Sequence, residues 1–153
     1  PELAADYKKT YLEHMKGSKR FFNSAVRTIK TDGRVRNKYG RVYRVPSEFG
    51  YKGVNYLIQG TSADIMSERM VAVAEYLKDK KSNLLLQVHD EIICEVHKDE
   101  VDEVAPEIRR LMKENTLDIP LEVDMEVCDP SWAVKKDFDD INKFSLEEHI
   151  DWD

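Results

Sequence analysis

Two adjacent carboxylates, Asp90 and Glu91, follow Gln87-Val88-His89 and stand between the apolar runs Leu84-Leu85-Leu86 and Ile92-Ile93-Cys94. The stretch reads as a strand, a tight turn and a second strand. Carboxylate oxygens are hard donors, suited to a divalent cation held together with a substrate phosphate. An ionised carboxylate left unpaired in a poorly solvated place is costly, or shifts its pKa and neutralises. A buried hairpin with two acids at its bend is therefore expected to meet a cation there. Gln87 and His89 lie two apart, so on a strand they face one side. A metal phosphohydrolase built on His89 and Asp90 would need further histidines, and His14, His97 and His149 are not at helpful spacings.

The elements that must position these groups are legible as an α+β pattern, helices packed on a small antiparallel sheet. Leu3, Tyr7, Tyr11 and Met15 recur at steps of four, which predicts a helix over residues ~2–16 ended by Gly17. Ser18 is placed to cap a second helix reaching about Thr31, with Phe22, Val26 and Ile29 inward and Asp32-Gly33 as its stop. Val35, Tyr39, Val42, Tyr43 and Val45 around Lys38-Tyr39-Gly40-Arg41 predict a β-hairpin with its basic side chains outward, ended by Pro46-Ser47. The longest helical pattern covers residues ~51–79; Gly60 in its middle costs ~1 kcal/mol relative to Ala, which points to close packing or a nearby ligand. Val101, Val104, Ile108, Leu111 and Met112 mark another helix, with Pro106 expected at a kink or a late first turn. Leu121, Val123, Met125 and Val127 alternate with acids as a one-sided strand. From Lys135 on the sequence is acidic and weakly periodic, expected to be a loosely attached tail with a short helix near Leu146.

With 153 residues the chain is the size of one ordinary domain, and no apolar run reaches the ~20 residues of a membrane span. It opens on Pro1 rather than Met and is expected to be a processed or excised part of something longer. Cys94 and Cys128 are too few for a disulfide framework and read as reduced core residues of an intracellular protein. The net charge of −6 conceals a division: residues 16–52 carry eleven basic residues against Asp32 and Glu48, a local +9, leaving −15 for the rest. A basic block beside an acidic remainder is the pattern of a nucleic-acid-binding face with a separate metal site.

The run LLLQVHDEIICEV resembles the carboxylate motif near the C-terminus of family A DNA polymerases, the DNA polymerase I type. Asn55-Tyr56-Leu57-Ile58-Gln59-Gly60-Thr61-Ser62-Ala63-Asp64-Ile65 resembles that family's N-x-x-[IL]-Q-G-[TS]-x-A-D-[IL] helix, and Tyr39-Gly40-Arg41 its F/Y-G-R hairpin turn. IPLEVDMEVCDPSW is similar to its closing strand and tryptophan ending. Four blocks in order span residues ~1–133, and the short link between long helix and hairpin has a phage-type flavour.

The resemblance implies the distal half of a polymerase palm, with the last helical part of the fingers. Residues 1–50 would be the end of the fingers with the basic hairpin, 51–133 the palm segment and 134–153 an acidic tail. Asp90 would be one of two aspartates holding a pair of Mg2+ ions, with Glu91 a weaker contact beside it. Gln87 and His89 would contact the primer end, Asn55 and Gln59 the minor-groove side of the newest base pair, and Arg41 the DNA backbone. The implied partners are primer-template DNA, dNTP and an N-terminal polymerase portion, on the same chain or as a separate subunit, in the cytoplasm of a bacterial or phage-infected cell. The family's first metal aspartate, in D-x-S-x-[IL]-E, has no counterpart here, nor has the R-x-x-x-K-x-x-x-x-x-x-Y-G helix that grips the nucleotide phosphates. Tyr51 stands where the family often has arginine, four residues before Asn55. The expectation is thus a template-directed polymerase segment inactive by itself; the rival is a non-catalytic nucleic-acid-binding module on the same scaffold.

Overall fold

The computed structural model describes residues 2–115, 117, 119–128 and 131–138. Its elements run α1 (Glu2–His14), α2 (Lys16–Asp32), β1 (Arg34–Arg36), β2 (Val42–Arg44), α3 (Lys52–Leu77), β3 (Asn83–Val88), β4 (Glu91–Glu95), α4 (Val101–Lys113), β5 (Glu126–Cys128) and β6 (Lys135–Asp137). The strands form three two-stranded antiparallel ladders, β1–β2, β3–β4 and β5–β6, so the fold is α+β. The chain divides into two compact units, residues 1–67 and 68–153, with the division inside α3.

In the first unit, the break between α1 and α2 falls at Met15 (φ −97°, ψ 64°) rather than at Gly17, which lies inside α2. No side chain caps α2, so Ser18 does not start it. Gly17 stands in the first turn of α2, outside the helix interior in which a glycine costs ~1 kcal/mol relative to Ala. The other end stops where the sequence places it. Gly33 adopts φ 66° and its N–H donates to the Ile29 carbonyl at 2.8 Å, a left-handed cap that a Cβ would disfavour. The buried face of α2 is Ala25 and Ile29, with Phe22 exposed rather than inward. Ile29, Val35 and Val45 form the core, with Tyr43 and Leu57 packed against it. Arg34, Arg36, Lys38, Arg41 and Arg44 are exposed, as the hairpin pattern anticipates.

In the second unit, Val73 and Leu77 of α3 pack with Val104 and Ile108 of α4, and Leu84, Ile92 and Cys94 lie against them. Arg69, 8% exposed, donates to the Leu111 carbonyl (3.3 Å) and Glu114 carboxylate (3.1 Å), satisfying the C-terminal end of α4. The α4 helix begins five residues before Pro106, which therefore lies in its second turn, beyond the late first turn expected, and leaves one backbone bond unmade. Residues 121–128 keep the alternating half-buried and exposed pattern, but only 126–128 form a ladder, and their partner is 135–137. That pairing puts 135–137 on a strand where a loose tail was expected from Lys135; the remainder of that tail, with the helix expected near Leu146, lies outside the described residues. Cys128 is exposed rather than in the core; Cys94 is half-buried, and burial pushes its thiol up to about 11.

Candidate functional site

The β3–β4 hairpin is anchored at its base. The Glu100 carboxylate accepts from the Ser82 hydroxyl (2.6 Å), the Ser82 N–H (3.0 Å) and the Lys81 N–H (3.0 Å), while the His97 N–H donates to Ser82 Oγ (3.0 Å). Ser82 is fully buried, and its hydroxyl leads the contacts that hold Glu100 below the usual carboxylate range. This clasp joins the residues entering β3 to those leaving β4, so the opposite end of the hairpin is carried on a fixed base.

At that opposite end Val88 pairs with Glu91, leaving His89 and Asp90 as a two-residue turn. His89 has φ 54°, the left-handed region, which costs a non-glycine residue on the order of 1 kcal/mol. His89 thus belongs to the turn and not to the strand, and strand alternation does not put it beside Gln87. A hydrogen bond does: Gln87 Nε2 donates to the His89 carbonyl at 2.7 Å. The ladder also shifts register at Leu85, a bulge that leaves Leu85 and Leu86 56% and 45% exposed. The hairpin is therefore half-buried rather than buried, and Gln87, His89, Asp90 and Glu91 are all exposed. Exposed carboxylates are solvated, so burial cost does not by itself demand a cation here. Glu91 faces Lys135 of β6 at 3.9 Å, and that ammonium is bound more closely by Glu126 at 2.9 Å. The donors at the tip suit a hard cation but make only part of a coordination set: among the described residues no three His, Cys, Asp or Glu side chains converge.

Asn55 and Gln59 lie in the first unit, one turn apart and exposed on α3. On the same helix, Gly60 meets Tyr43: a Cβ at residue 60 would stand 1.8 Å from the Tyr43 hydroxyl oxygen. The Tyr43 ring stacks on Tyr56, centroids 5.9 Å apart, and its hydroxyl has no hydrogen-bond partner among the described residues. The suspicion of close packing at Gly60 is thus answered by a side chain.

Arg41 is not an unengaged cation of the basic hairpin. Its Nε donates to both Asp64 oxygens (2.9 and 3.1 Å), and Nη2 also bonds Asp64. Asn37 Nδ2 donates to the same carboxylate at 2.6 Å, while its Oδ1 accepts the Arg41 N–H at 2.9 Å. The Arg41 guanidinium is the larger cause, and Asn37 the second, of an Asp64 pKa held below the usual carboxylate range. Asp64 and Asn37 were missed as positioning groups. Asp64 and Arg41 stand in separate sequence blocks 23 residues apart, and nothing in either block announces the other.

The chain belongs to DNA polymerase family A, whose family model matches residues 1–134. Among curated relatives, it is 36% identical over 134 residues to DNA polymerase I of Lactococcus lactis subsp. lactis (strain IL1403), aligning 79% of this chain with 15% of that protein. DNA polymerase I of Bacillus subtilis (strain 168) is 36% identical over 135 residues, 80% of this chain and 15% of the relative. The chain thus spans about 15% of the length of these relatives. Among solved structures, the POL domain of Pol1 from M. smegmatis, in complex with DNA primer-template and dNTP, superposes with a TM-score of 0.73 at 30% identity, over 79% of this chain and 24% of that one. Among the described residues, no helix is long and apolar enough to cross a membrane.

Proposed function

We propose that this chain is the distal palm segment of a template-directed DNA polymerase, with residues 1–50 ending the fingers, 51–133 forming the palm segment and 134–153 an acidic extension. The observation that carries the proposal is the two-residue turn that presents Asp90 at the tip of a clasped hairpin, inside the stretch matched to family A. Asp90 would hold Mg2+ together with a second carboxylate from polypeptide outside this chain, and Glu91 would stand next to it. When bound, the cation makes the primer 3′-hydroxyl more acidic and neutralises charge on the departing pyrophosphate. Gln87, fixed to the turn by its bond to the His89 carbonyl, and His89 would orient the primer end. Asn55 and Gln59 would meet the minor-groove side of a base pair, where acceptors are similar for A·T and G·C, so that amides read shape rather than sequence. Arg41, committed to Asp64, would place the hairpin turn near the DNA backbone rather than spend its whole charge there. The partners are primer-template DNA, dNTP and the remaining polymerase portion, and the setting is the cytoplasm of a bacterial or phage-infected cell.

One carboxylate leaves too few ligands for tight magnesium binding, so the isolated chain should extend no primer. Supplied with the N-terminal portion of a family A polymerase domain, it should extend one, and Asp90→Asn should lower turnover by about two orders of magnitude or more while primer-template binding persists. Incorporation by the isolated chain would overturn its incompleteness. Normal turnover by the complemented Asp90→Asn variant would replace the catalytic role with that of a non-catalytic binding module.

A further inference from the structure

A groove of about 720 Å³ runs along α1 and α2 in the first unit, lined by Leu12 and Glu13 of α1 and by Lys16, Lys19, Arg20, Asn23, Ser24 and Arg27 of α2. Lys16, Arg20, Asn23 and Arg27 follow at steps of four, three and four, a single face of α2 extending about 16 Å along its axis. Lys16, Lys19, Arg20 and Arg27 are exposed and none of their side chains makes a hydrogen bond or ion pair among the described residues, in contrast to Arg41, Arg69 and Arg110, each of which meets a carboxylate. Four cations against the single acid Glu13 concentrate positive charge on a chain whose net charge is −6. Such a face gains nothing for stability from self-repulsion; its electrostatic complement is a string of regularly spaced anions.

We infer that this groove, whose lining includes neither Asn55 nor Gln59 nor any residue of the Asp90 hairpin, binds the sugar-phosphate backbone of a nucleic acid without reading sequence. Arg20 and Arg27 present planar forks that match phosphate oxygens, Lys16 and Lys19 act as point charges, and Asn23 and Ser24 supply neutral donors between them. No aromatic ring lines the groove, so bases have no stacking platform and contact falls on the backbone. The cations line an open groove about 16 Å long, which a single strand can follow. The choice of nucleic acid over an acidic protein rests on the polymerase reading.

Anisotropy of a fluorescein-labelled single-stranded oligonucleotide, titrated with the full chain over a range of NaCl concentrations, tests this. The Lys16→Gln/Arg20→Gln/Arg27→Gln variant should bind about tenfold or more weakly near 0.1 M salt, and its log K against log salt slope should flatten by about 2, since each strand phosphate neutralised contributes about 0.7. Arg20→Lys/Arg27→Lys keeps the charge and should retain most of the affinity, which separates a lost site from a misfolded variant. Lys78→Gln/Lys81→Gln/Lys98→Gln removes the same charge from the second unit and should leave binding unchanged. Equal loss in the two triple-glutamine variants, or none in the groove variant, overturns the inference. So does poly-glutamate competing as well as unlabelled oligonucleotide at equal charge, which would make the surface a site for acidic protein. The assay involves no nucleotidyl transfer: groove-variant loss with failed extension by the complemented chain sinks the catalytic reading alone, and extension by the complemented chain with unchanged groove-variant binding sinks this one alone.

Discussion

At the scale of single residues, the most informative contacts join sequence blocks that look independent. Asp64 stands at the end of the helix motif and Arg41 at the hairpin turn, yet the carboxylate takes the guanidinium and the Asn37 amide together. The consequence is a defined pH dependence. Folding lowers the Asp64 pKa, chiefly through Arg41, so the stabilisation is present above the unfolded carboxylate value of about 4 and is lost as pH falls through the lower folded value. Arg41 stays protonated throughout that window. Urea unfolding of the native chain and of Asp64→Asn should therefore differ by a constant amount from about pH 7 to pH 5, and the gap should close as pH drops below about 4. A gap that persists unchanged to the most acidic condition would mean that the carboxylate's charge contributes nothing. Glu100, held low by Ser82 and the Lys81 N–H, loses its stabilisation in the same direction, so the clasp beneath the Asp90 hairpin should also weaken in acid.

At the scale of elements, the close approach of α3 to the β2 hairpin is decided by Gly60. An added methyl would meet the Tyr43 hydroxyl at 1.8 Å and the ring carbon bearing it at 2.5 Å, and a ring already stacked on Tyr56 has little room to turn away. Overpacking of this kind costs about 1–3 kcal/mol, against about 1 kcal/mol gained by replacing a helical glycine with alanine. Gly60→Ala should therefore destabilise the chain, whereas in a Tyr43→Ala background the same change should stabilise it by up to about 1 kcal/mol. Thermal unfolding of the four members of this cycle measures the sign reversal; the same sign in both backgrounds would show that Tyr43 is not what keeps residue 60 small. Why the glycine had to be special was visible in the helical pattern, but its partner was not, because Tyr43 reads as one more alternating hairpin residue. The elements themselves were legible where periodicity and a stop signal agreed, as at Asp32-Gly33, or where the periodicity was long, as along 52–77. They were misread where one weak signal stood alone. Gly17 and Ser18 looked like a stop and a cap, but a glycine in a first turn costs little and no side-chain cap forms. The Leu84–Leu86 run looked buried, but the bulge at Leu85 turns part of it outward. The order of strand, turn and strand around Asp90 was legible; the left-handed His89 that makes the turn, and the Gln87 bond that closes on it, depend on backbone geometry that composition does not encode.

At the scale of the whole molecule, the two units have separate cores that share no buried residue. Ile29, Val35 and Val45 close one, and Val73, Leu77, Val104 and Ile108 the other. The α3 helix contributes to both, through Leu57 to the first and Val73 and Leu77 to the second. A fold organised this way can open by parts, because removing packing from one cluster leaves every buried contact of the other in place. Ile29 is fully buried and Ile108 is 5% exposed, so Ile29→Ala and Ile108→Ala should each cost about 2–5 kcal/mol locally. Hydrogen exchange followed by mass spectrometry distinguishes where that cost appears. Ile29→Ala should speed exchange of amides in β1, β2 and the first half of α3 while α4 and the β3–β4 hairpin keep their protection. Ile108→Ala should do the reverse, exposing the hairpin that carries Asp90. Equal acceleration of both units by either substitution would mean that α3 transmits the loss in full and the chain unfolds as one body. Independent opening has a functional reading as well: the basic groove on α1 and α2 would then survive in a chain whose Asp90 hairpin has loosened, so nucleic-acid binding should persist in Ile108→Ala and fall in Ile29→Ala.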